Sequence, residues 1–423
     1  MTRMKDSGNP WLREIPSDWF EKKLRYLVKL RGEKSVTTDY KKYVGLENIM
    51  SQTGQYVQTG IEVDLTENLT FEVGDILFGK LRPYLRKYWR AEFSGTASSE
   101  FVIIKGSSLN LNFLFWAIQS DSFINDVDSS TYGSKMPRAS WEYMKNIKLP
   151  FPESIEEQAK IADFLDKKVA QLDKVKSLLE EQIKTLEDYR QSLIYETVTK
   201  GLDKTVPLKD SGVDWIGQIP EGWGVKPIKY LVSTPVTDGP HETPTLYDEG
   251  IPFLSAESVK NGILDFRYKR GYISETAHKI FSRKVSPQKN DIFIVKSGAT
   301  TGNVGIVNTD EIFDIWSPLA LVRTRSDLAN QKFIYYFMLS DAFTKQIQNK
   351  WSFGTQQNIG MGVIEKIKLV VPPLGEQTPI ADFLDKKTEQ INQMIAIKKE
   401  QIENINKQRQ TLIYDYVTGK RRI

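Results

Sequence analysis

Two stretches of this 423-residue chain mix cations with aromatic rings. Between Ile76 and Ala91 stand five basic residues and no acid, Lys80, Arg82, Arg86, Lys87 and Arg90, with Tyr84, Tyr88 and Trp89 among them. Between Arg267 and Lys296 stand eight basic residues against two acids. Arg267, Lys269, Arg270 and Lys296 belong to that set, Tyr268, Tyr272 and His278 interleave with it, and Ser297 and Thr300 follow it. Basic side chains beside strands neutralise phosphates, and polar or aromatic neighbours reach base edges, so this make-up suits nucleic-acid contact. A merely solvated basic face has the same composition and is the alternative. Lys80 and Lys296 align between the two stretches and are expected to touch phosphates. Two shorter segments add recognition chemistry. Tyr132–Arg138 (YGSKMPR) carries Lys135 and Arg138, and Phe353–Asn358 (FGTQQN) carries Gln356, Gln357 and Asn358. Arginine and lysine read guanine, and glutamine and asparagine read adenine, through paired hydrogen bonds. The alternative for both segments is a turn that only feeds the next helix.

Catalytic chemistry is harder to find. No phosphate-binding loop with a terminal Lys-Ser/Thr is present. Gly298–Gly305 (GATTGNVG) is glycine-rich, but the strand before it points to a hairpin turn. Asn9-Pro10-Trp11 is not the asparagine-proline-proline-aromatic tetrapeptide of amino-methyltransferases. His241 and His278 are the two histidines, and neither has a partner at metal-ligand spacing. Cysteine is absent, so disulfides and thiolate sites are excluded, which also suits a reducing cytoplasm. No catalytic residue, metal or cofactor is assigned to the chain. A binding protein is the economical expectation.

The elements that must position these residues occur twice. IADFLDKK stands at Ile161–Lys168 and again at Ile380–Lys387, an offset of 219. Over Ile161–Thr199 and Ile380–Thr418, 19 of 39 positions are identical. Asp6-Ser7-Gly8 with Trp11 matches Asp210-Ser211-Gly212 with Trp215, and Ile15-Pro16 with Trp19 matches Ile219-Pro220 with Trp223, both at offset 204. Asp75-Ile76 with Lys80 matches Asp291-Ile292 with Lys296 at 216, and Ser120-Asp121 with Phe123 matches Ser340-Asp341 with Phe343 at 220. The drift makes the second head about 15 residues longer, mostly before Asp291, so His241–Arg270 is where extra contacts are expected.

Each repeat ends in a long amphipathic helix. Leu165, Val169, Leu172, Val175, Leu179, Ile183, Leu186, Tyr189 and Leu193 recur every three or four residues, a coiled-coil seam. Leu384, Ile391, Met394, Ile402, Ile405 and Leu412 continue it in the second copy. About 40 residues of helix span roughly 60 Å, and a single apolar stripe of that length needs a partner. The two helices are expected to pair antiparallel with each other; pairing with other proteins is the alternative. Ser154 with Glu157 reads as a capping box, Gly201 as a stop, and either Gly375 or Thr378-Pro379 as the second start. The heads read as mixed strand and helix. Tyr43–Leu46, Asp75–Phe78, Phe101–Ile104, Asp291–Val295 and Leu319–Val322 are strands, and Leu111–Gln119 and Lys332–Leu339 helices. The fold class is therefore α+β: two globular mixed α/β heads joined by two long antiparallel coiled-coil helices, with a pseudo-two-fold internal repeat.

These features together resemble one known family, the specificity (S) subunits of type I DNA restriction–modification systems. Three motifs carry the resemblance over nearly the whole length. They are Glu157–Lys168 and Glu376–Lys387 opening the long helices, Val198–Trp223 as central linker, and Gly74–Leu77 with Asn290–Ile292 at the heads. The resemblance implies an N-terminal arm at 1–22 repeated at 205–226 within a linker 201–226. It implies target recognition domains at 23–152 and 227–373, long helices at 153–200 and 374–418, and a tail at 419–423. It further implies that each head reads one half of a split site in double-stranded DNA. The helices would set the gap and dock two modification (methyltransferase) subunits, which bring S-adenosylmethionine. Restriction subunits with ATP would complete a nuclease. Arg13-Glu14 in place of Gly217-Gln218, and Thr378-Pro379 in the second helix start, are the departures. A coiled-coil adaptor that binds only protein is the rival reading.

Bulk properties decide less. Apolar residues make up 40% and charged residues 26%, ordinary globular values, and a net charge of +4 does not by itself argue for nucleic acid. No run is long enough to span a bilayer, so a cytoplasmic protein with no membrane partner is expected.

Overall fold

The computed structural model describes all residues except 1–2, 10, 37–41, 60–66, 132–134, 351 and 354–356, and at 352–353 only the backbone. The chain divides into two compact units, Met1–Glu180 with Lys399–Ile423, and Glu181–Lys398. Each unit holds one head and a stretch of both long helices. Those helices run over Ile155–Lys200 and Leu374–Val417.

In the first unit a four-stranded antiparallel sheet orders Val28–Leu30, Phe101–Ser107, Ile76–Gly79 and Tyr88–Arg90. Its central strands are apolar on both faces, and the two-residue period of a strand sorts them into two cores. Ile76, Phe78, Tyr88, Val102 and Ile104 face the helices Leu111–Ala117 and Asp121–Ser129 and the long-helix residues Leu165, Val169 and Ile413. Leu77, Trp89, Phe101 and Ile103 face an outer core with Val44 and Phe71. There a second sheet orders Lys34–Val36, Glu67–Phe71, Gly95–Ala97 and Lys42–Val44, the last pairing parallel.

The second unit repeats the plan with a larger sheet. Its order is Thr237–Asp238, Leu319–Val322, Ile292–Val295, Val304–Ile306, Ile263–Leu264 and Val259–Lys260. Ile292, Ile294, Ala320 and Val322 face the helices Gln331–Leu339 and Asp341–Gln348 and the long-helix residues Ile194, Ile380 and Leu384. Phe293, Val295, Leu319 and Leu321 face the outer core. Beyond it lies a three-stranded sheet, Gly271–Ile273, Ile251–Leu254 and Asp314–Ile315. Ile292–Val295 and Val304–Ile306 pair antiparallel, so the glycine-rich segment between them is the hairpin turn its sequence suggested.

The repeated motifs turn out to be clamps. Gln158 of the first helix start is buried; its Oε1 accepts Asn110 N–H at 2.8 Å and its Nε2 donates to Pro152 O at 2.8 Å. Gln377 repeats this with Asn330 N–H at 2.7 Å and Pro372 O at 2.8 Å. Asp75 and Asp291 are buried as well. Asp75 accepts Glu72 N–H at 2.9 Å and pairs with Arg31 at 2.6 Å; Asp291 accepts Gln288 N–H at 2.7 Å and pairs with Arg323 at 2.6 Å. A buried carboxylate without such partners would be severely penalised, which explains the aspartate before each central strand.

The long helices run antiparallel within each unit. The Phe164 and Tyr416 rings meet tilted at 41° with centroids 4.5 Å apart, and Arg409 lies 3.6 Å from Asp173. In the second unit Arg190 bonds Asn392, and Lys398 Nζ donates to Gln182 at 2.6 Å. Leu165, Val169, Leu384, Ile391 and Ile405 are buried. Leu172, Leu179, Ile183, Leu186, Leu193, Ile402 and Leu412 are half-buried, while Val175 (47% exposed) and Met394 (42%) face out. Leu165, Val169 and Leu384 join the core of a head, whereas Ile391 and Ile405 are buried outside those cores. The second helix begins at Leu374, ahead of both expected starts, so Pro379 sits inside it. The lost N–H leaves one carbonyl of the first turns without its helical donor, and a start this near the end limits the disruption. At the first helix Glu157 N–H donates to Ser154 Oγ at 3.3 Å, one half of the capping box.

Candidate nucleic-acid interface

In each head the loop after the central strand meets the segment that precedes the long helix. In the first, Arg82 N–H donates to Pro137 O at 2.7 Å and Ala139 N–H to Lys80 O at 2.9 Å, with a bridge between Leu81 and Arg138. In the second, Gly298 N–H donates to Gln357 O at 3.2 Å and Ile359 N–H to Lys296 O at 2.8 Å, with a bridge between Ser297 and Asn358. More than fifty residues separate the partners in sequence, so spacing alone could not join them. The two groups of candidate residues in each head therefore form one edge. Tyr132–Ser134 and Gly354–Gln356 lie outside the described residues, Gln356 among them.

On the first edge Tyr84 (49% exposed) and Lys135 point to solvent. Arg138 is exposed and forks onto Glu100 at 2.9 to 3.1 Å. Arg82 has a left-handed backbone (φ 50°) and donates to Lys135 O at 2.9 Å, fixing the loop. Lys80 is half-buried and forms no ion pair among the described residues. Two other candidates have structural duties. Arg86 pairs with Asp121 at 2.6 Å and donates to Gln410 at 2.9 Å, tying the head to the second long helix. Lys87 Nζ donates to Leu46 O at 2.6 Å and Ile49 O at 2.9 Å, and burial pushes its ammonium below the usual lysine range. Arg86 is committed to the head and the second long helix and Lys87 to the head, so neither offers a free cation.

On the second edge the expectation for Lys296 is also corrected. Its ammonium lies 2.8 Å from Asp238, a fully buried carboxylate that also takes Lys284 at 2.7 Å and His241 at 3.2 Å. Burial alone would raise the Asp238 carboxyl, but Lys284 and Lys296 outweigh it and hold the group below the ordinary aspartate value. Thr301 Oγ1 donates to Gly298 O at 2.7 Å and Gln357 O at 3.1 Å, stiffening the turn that carries Ser297 and Thr300. Among the described residues, Ser297, Thr300, Gln357 and Asn358 give this edge a polar rather than cationic character.

The longer segment of the second head supplies cations elsewhere. Lys260 sits over Tyr268 at 5.0 Å, Lys269 over Tyr272 at 4.9 Å and Arg270 over Trp316 at 4.4 Å. Arg267, highly exposed, forks onto Asp265 with its closest contact at 2.6 Å. Sequence reading missed one further pair. Arg25 covers Tyr26, and Lys229 covers Tyr230, each at 4.8 Å, with both tyrosines more than half exposed. The 204-residue offset would have aligned them. Among the described residues, no group of three or more His, Cys, Asp or Glu is placed to hold a metal, and no helix is long and apolar enough to cross a membrane.

Residues 16–187 and 220–405 match the family model described as the type I restriction modification DNA specificity domain. The chain belongs to that family. It is 25% identical over 435 residues to the MjaVIII type I specificity subunit of Methanocaldococcus jannaschii, covering 97% of this chain and 94% of that one. The MjaIX specificity subunit of the same organism is 22% identical over 434 residues, with 97% and 95% covered. A solved chain from work on complex assembly and conformational transition of a type I restriction–modification system superposes with TM-score 0.71 at 18% identity, covering 96% of this chain and 99% of that one. That likeness supports the fold, two mixed α/β heads with two long helices.

Proposed function

We propose that the chain is the DNA-reading subunit of a type I restriction–modification complex, with one edge per head reading one half of a split site. The observation that carries this is the edge itself. Two equivalent loop pairs stand on one scaffold but present different side chains: Tyr84, Lys135 and Arg138 in one, Ser297, Thr300, Gln357 and Asn358 in the other. A shared scaffold with divergent readers suits two unlike half-sites. The cation–aromatic pairs of the second head supply phosphate contacts that its polar edge lacks. The paired helices set the gap between half-sites and dock two methyltransferase subunits, which bring S-adenosylmethionine; ATP-dependent restriction subunits join the same assembly. The chain itself recognises and does not catalyse. Exchanging Arg31–Met144 for the head of another family member should change one half of the methylated motif, read by sequencing methylated bases in the host. Movement of both halves, or of neither, defeats the assignment. Inserting four residues into each long helix adds roughly 6 Å and should widen the gap; an unchanged gap would remove the helices from that role.

A further inference from the structure

The hairpins at the two repeat starts share a backbone pattern, although Asn9 adds side-chain bonds to Trp11 N–H and Asp126 that Val213 cannot make. Met4–Asp6 pairs with Glu14–Pro16, and Leu208–Asp210 with Gln218–Pro220. Gly8 N–H donates to Asp6 Oδ1 at 2.8 Å, and Gly212 N–H to Asp210 Oδ1 at 2.9 Å. Ser7 N–H donates to Arg13 O at 2.8 Å, and Ser211 N–H to Gly217 O at 3.0 Å. Arg13 and Gly217 both have positive φ, 62° and 72°. A long-helix tyrosine fastens each loop: Tyr414 OH donates to Leu12 O at 3.2 Å and Tyr195 OH to Ile216 O at 3.0 Å. Leu12 and Ile216 are buried. The residue before each is a tryptophan that is not: Trp11 is 46% exposed and Trp215 40%.

Folding accounts for the buried members of this motif, but it does not call for a half-exposed indole. Nearby positions have diverged, Asn9 against Val213 and Arg13 against Gly217, while the tryptophan stands in both. A surface kept the same in both repeats, beside heads that differ, meets the same thing twice. Charge decides what that is. Met4–Pro16 carries two bases and two acids, and Leu208–Pro220 one base and two acids, so neither hairpin attracts phosphate. A half-exposed tryptophan on neutral or acidic ground suits an anchor for a protein pocket. We infer that Trp11 and Trp215 are twin anchors, each seated in an apolar socket on one of two copies of the same protein subunit. Given the proposed function, on which this step rests, that subunit is the methyltransferase.

The full chain is titrated with the purified modification subunit and the stoichiometry read by native mass spectrometry. The wild-type chain should bind two. Trp11→Ala or Trp215→Ala should leave one site intact and weaken the other on the order of 30-fold, with phenylalanine in place of tryptophan restoring part of it. Hydroxyl-radical footprinting of the wild-type complex, which needs no variant, should protect both tryptophans. Two sites of wild-type affinity in both alanine variants, or unprotected tryptophans in a complex of two, overturn the anchors while leaving the proposed function standing. Protection by duplex DNA alone overturns them in favour of DNA. A wild-type chain that binds no modification subunit overturns the proposed function as well.

Discussion

Lys80 and Lys296 occupy the same place in the two heads and have different surroundings. Each carbonyl accepts the N–H of the segment before the long helix, from Ala139 and from Ile359. Their ammonium groups diverge. Lys296 is drawn inward by Asp238, on the edge strand Thr237–Asp238 that pairs with Leu319–Val322. In the first head the strand that pairs with Phe101–Ser107 on that side is Val28–Leu30, and Lys80 forms no ion pair among the described residues. Equivalent backbone positions therefore do not imply equivalent chemistry. A neighbouring strand supplies or withholds the counter-charge, and that decides whether the lysine is paired within the fold or left without an ion pair among the described residues.

The sharpest way to break this comparison is Asp238→Ala. It leaves Lys296 buried without a partner and should destabilise the second unit by about 3–5 kcal/mol, read by chemical denaturation with the first unit unaffected. The same carboxylate sets an acid limit. Its folded-state value lies below the unfolded one of about 3.9, so its contribution is complete above that value and lost as pH falls through the depressed one. Below about pH 4 the wild-type second unit should lose stability that Asp238→Asn, already weakened at neutral pH, no longer has to lose. An unchanged acid profile in the variant would show that Asp238 does not titrate as described.

The helix seam allows the same contrast between equal sequence roles and unequal surroundings. Leu165→Ala, at a fully buried site, should cost about 3 kcal/mol in thermal or chemical unfolding. Val175→Ala, on the same stripe but 47% exposed, should stay within about 0.5 kcal/mol. Equal losses would mean the helix pair is as tightly covered at Val175 as beside the head. The smallest effect on stability belongs to Lys80→Ala, within about 0.5 kcal/mol. It should instead weaken DNA binding evenly across sequences and lower the salt slope by about 0.9, one phosphate. A change in the preferred sequence would make Lys80 a base reader; no change in affinity would leave the first edge without its proposed phosphate contact.

Much of the molecule was legible beforehand because its signals are local. Periodicity at three and four residues marked both long helices, runs of apolar residues marked Ile76–Gly79 and Ile292–Val295, and offsets of 204 and 219 exposed the duplication. The family motifs could be recognised, but their physical duties could not. The glutamine of each helix start became a clamp on the head, and the aspartate before each central strand a buried partner for arginine.

The candidate site was half legible for the same reason. Residue types that can read bases are visible in a sequence, and Lys135, Arg138, Gln357 and Asn358 were singled out as candidates that way. That they share an edge with Lys80–Arg82 and Lys296–Gly298 required backbone pairing across more than fifty residues. Arg86, Lys87 and Lys296 looked like free cations because their partners, Asp121, the carbonyls of Leu46 and Ile49, and Asp238, lie far off in the chain. The sequence by itself determined the repeat, the helices, the two-sided strands and the stock of residue types that could read bases. The tertiary structure alone decided which charges are paired inside the fold and which stay exposed on the candidate edges. Electrostatic pairing depends on distance in space, and distance in space is what a linear pattern leaves out.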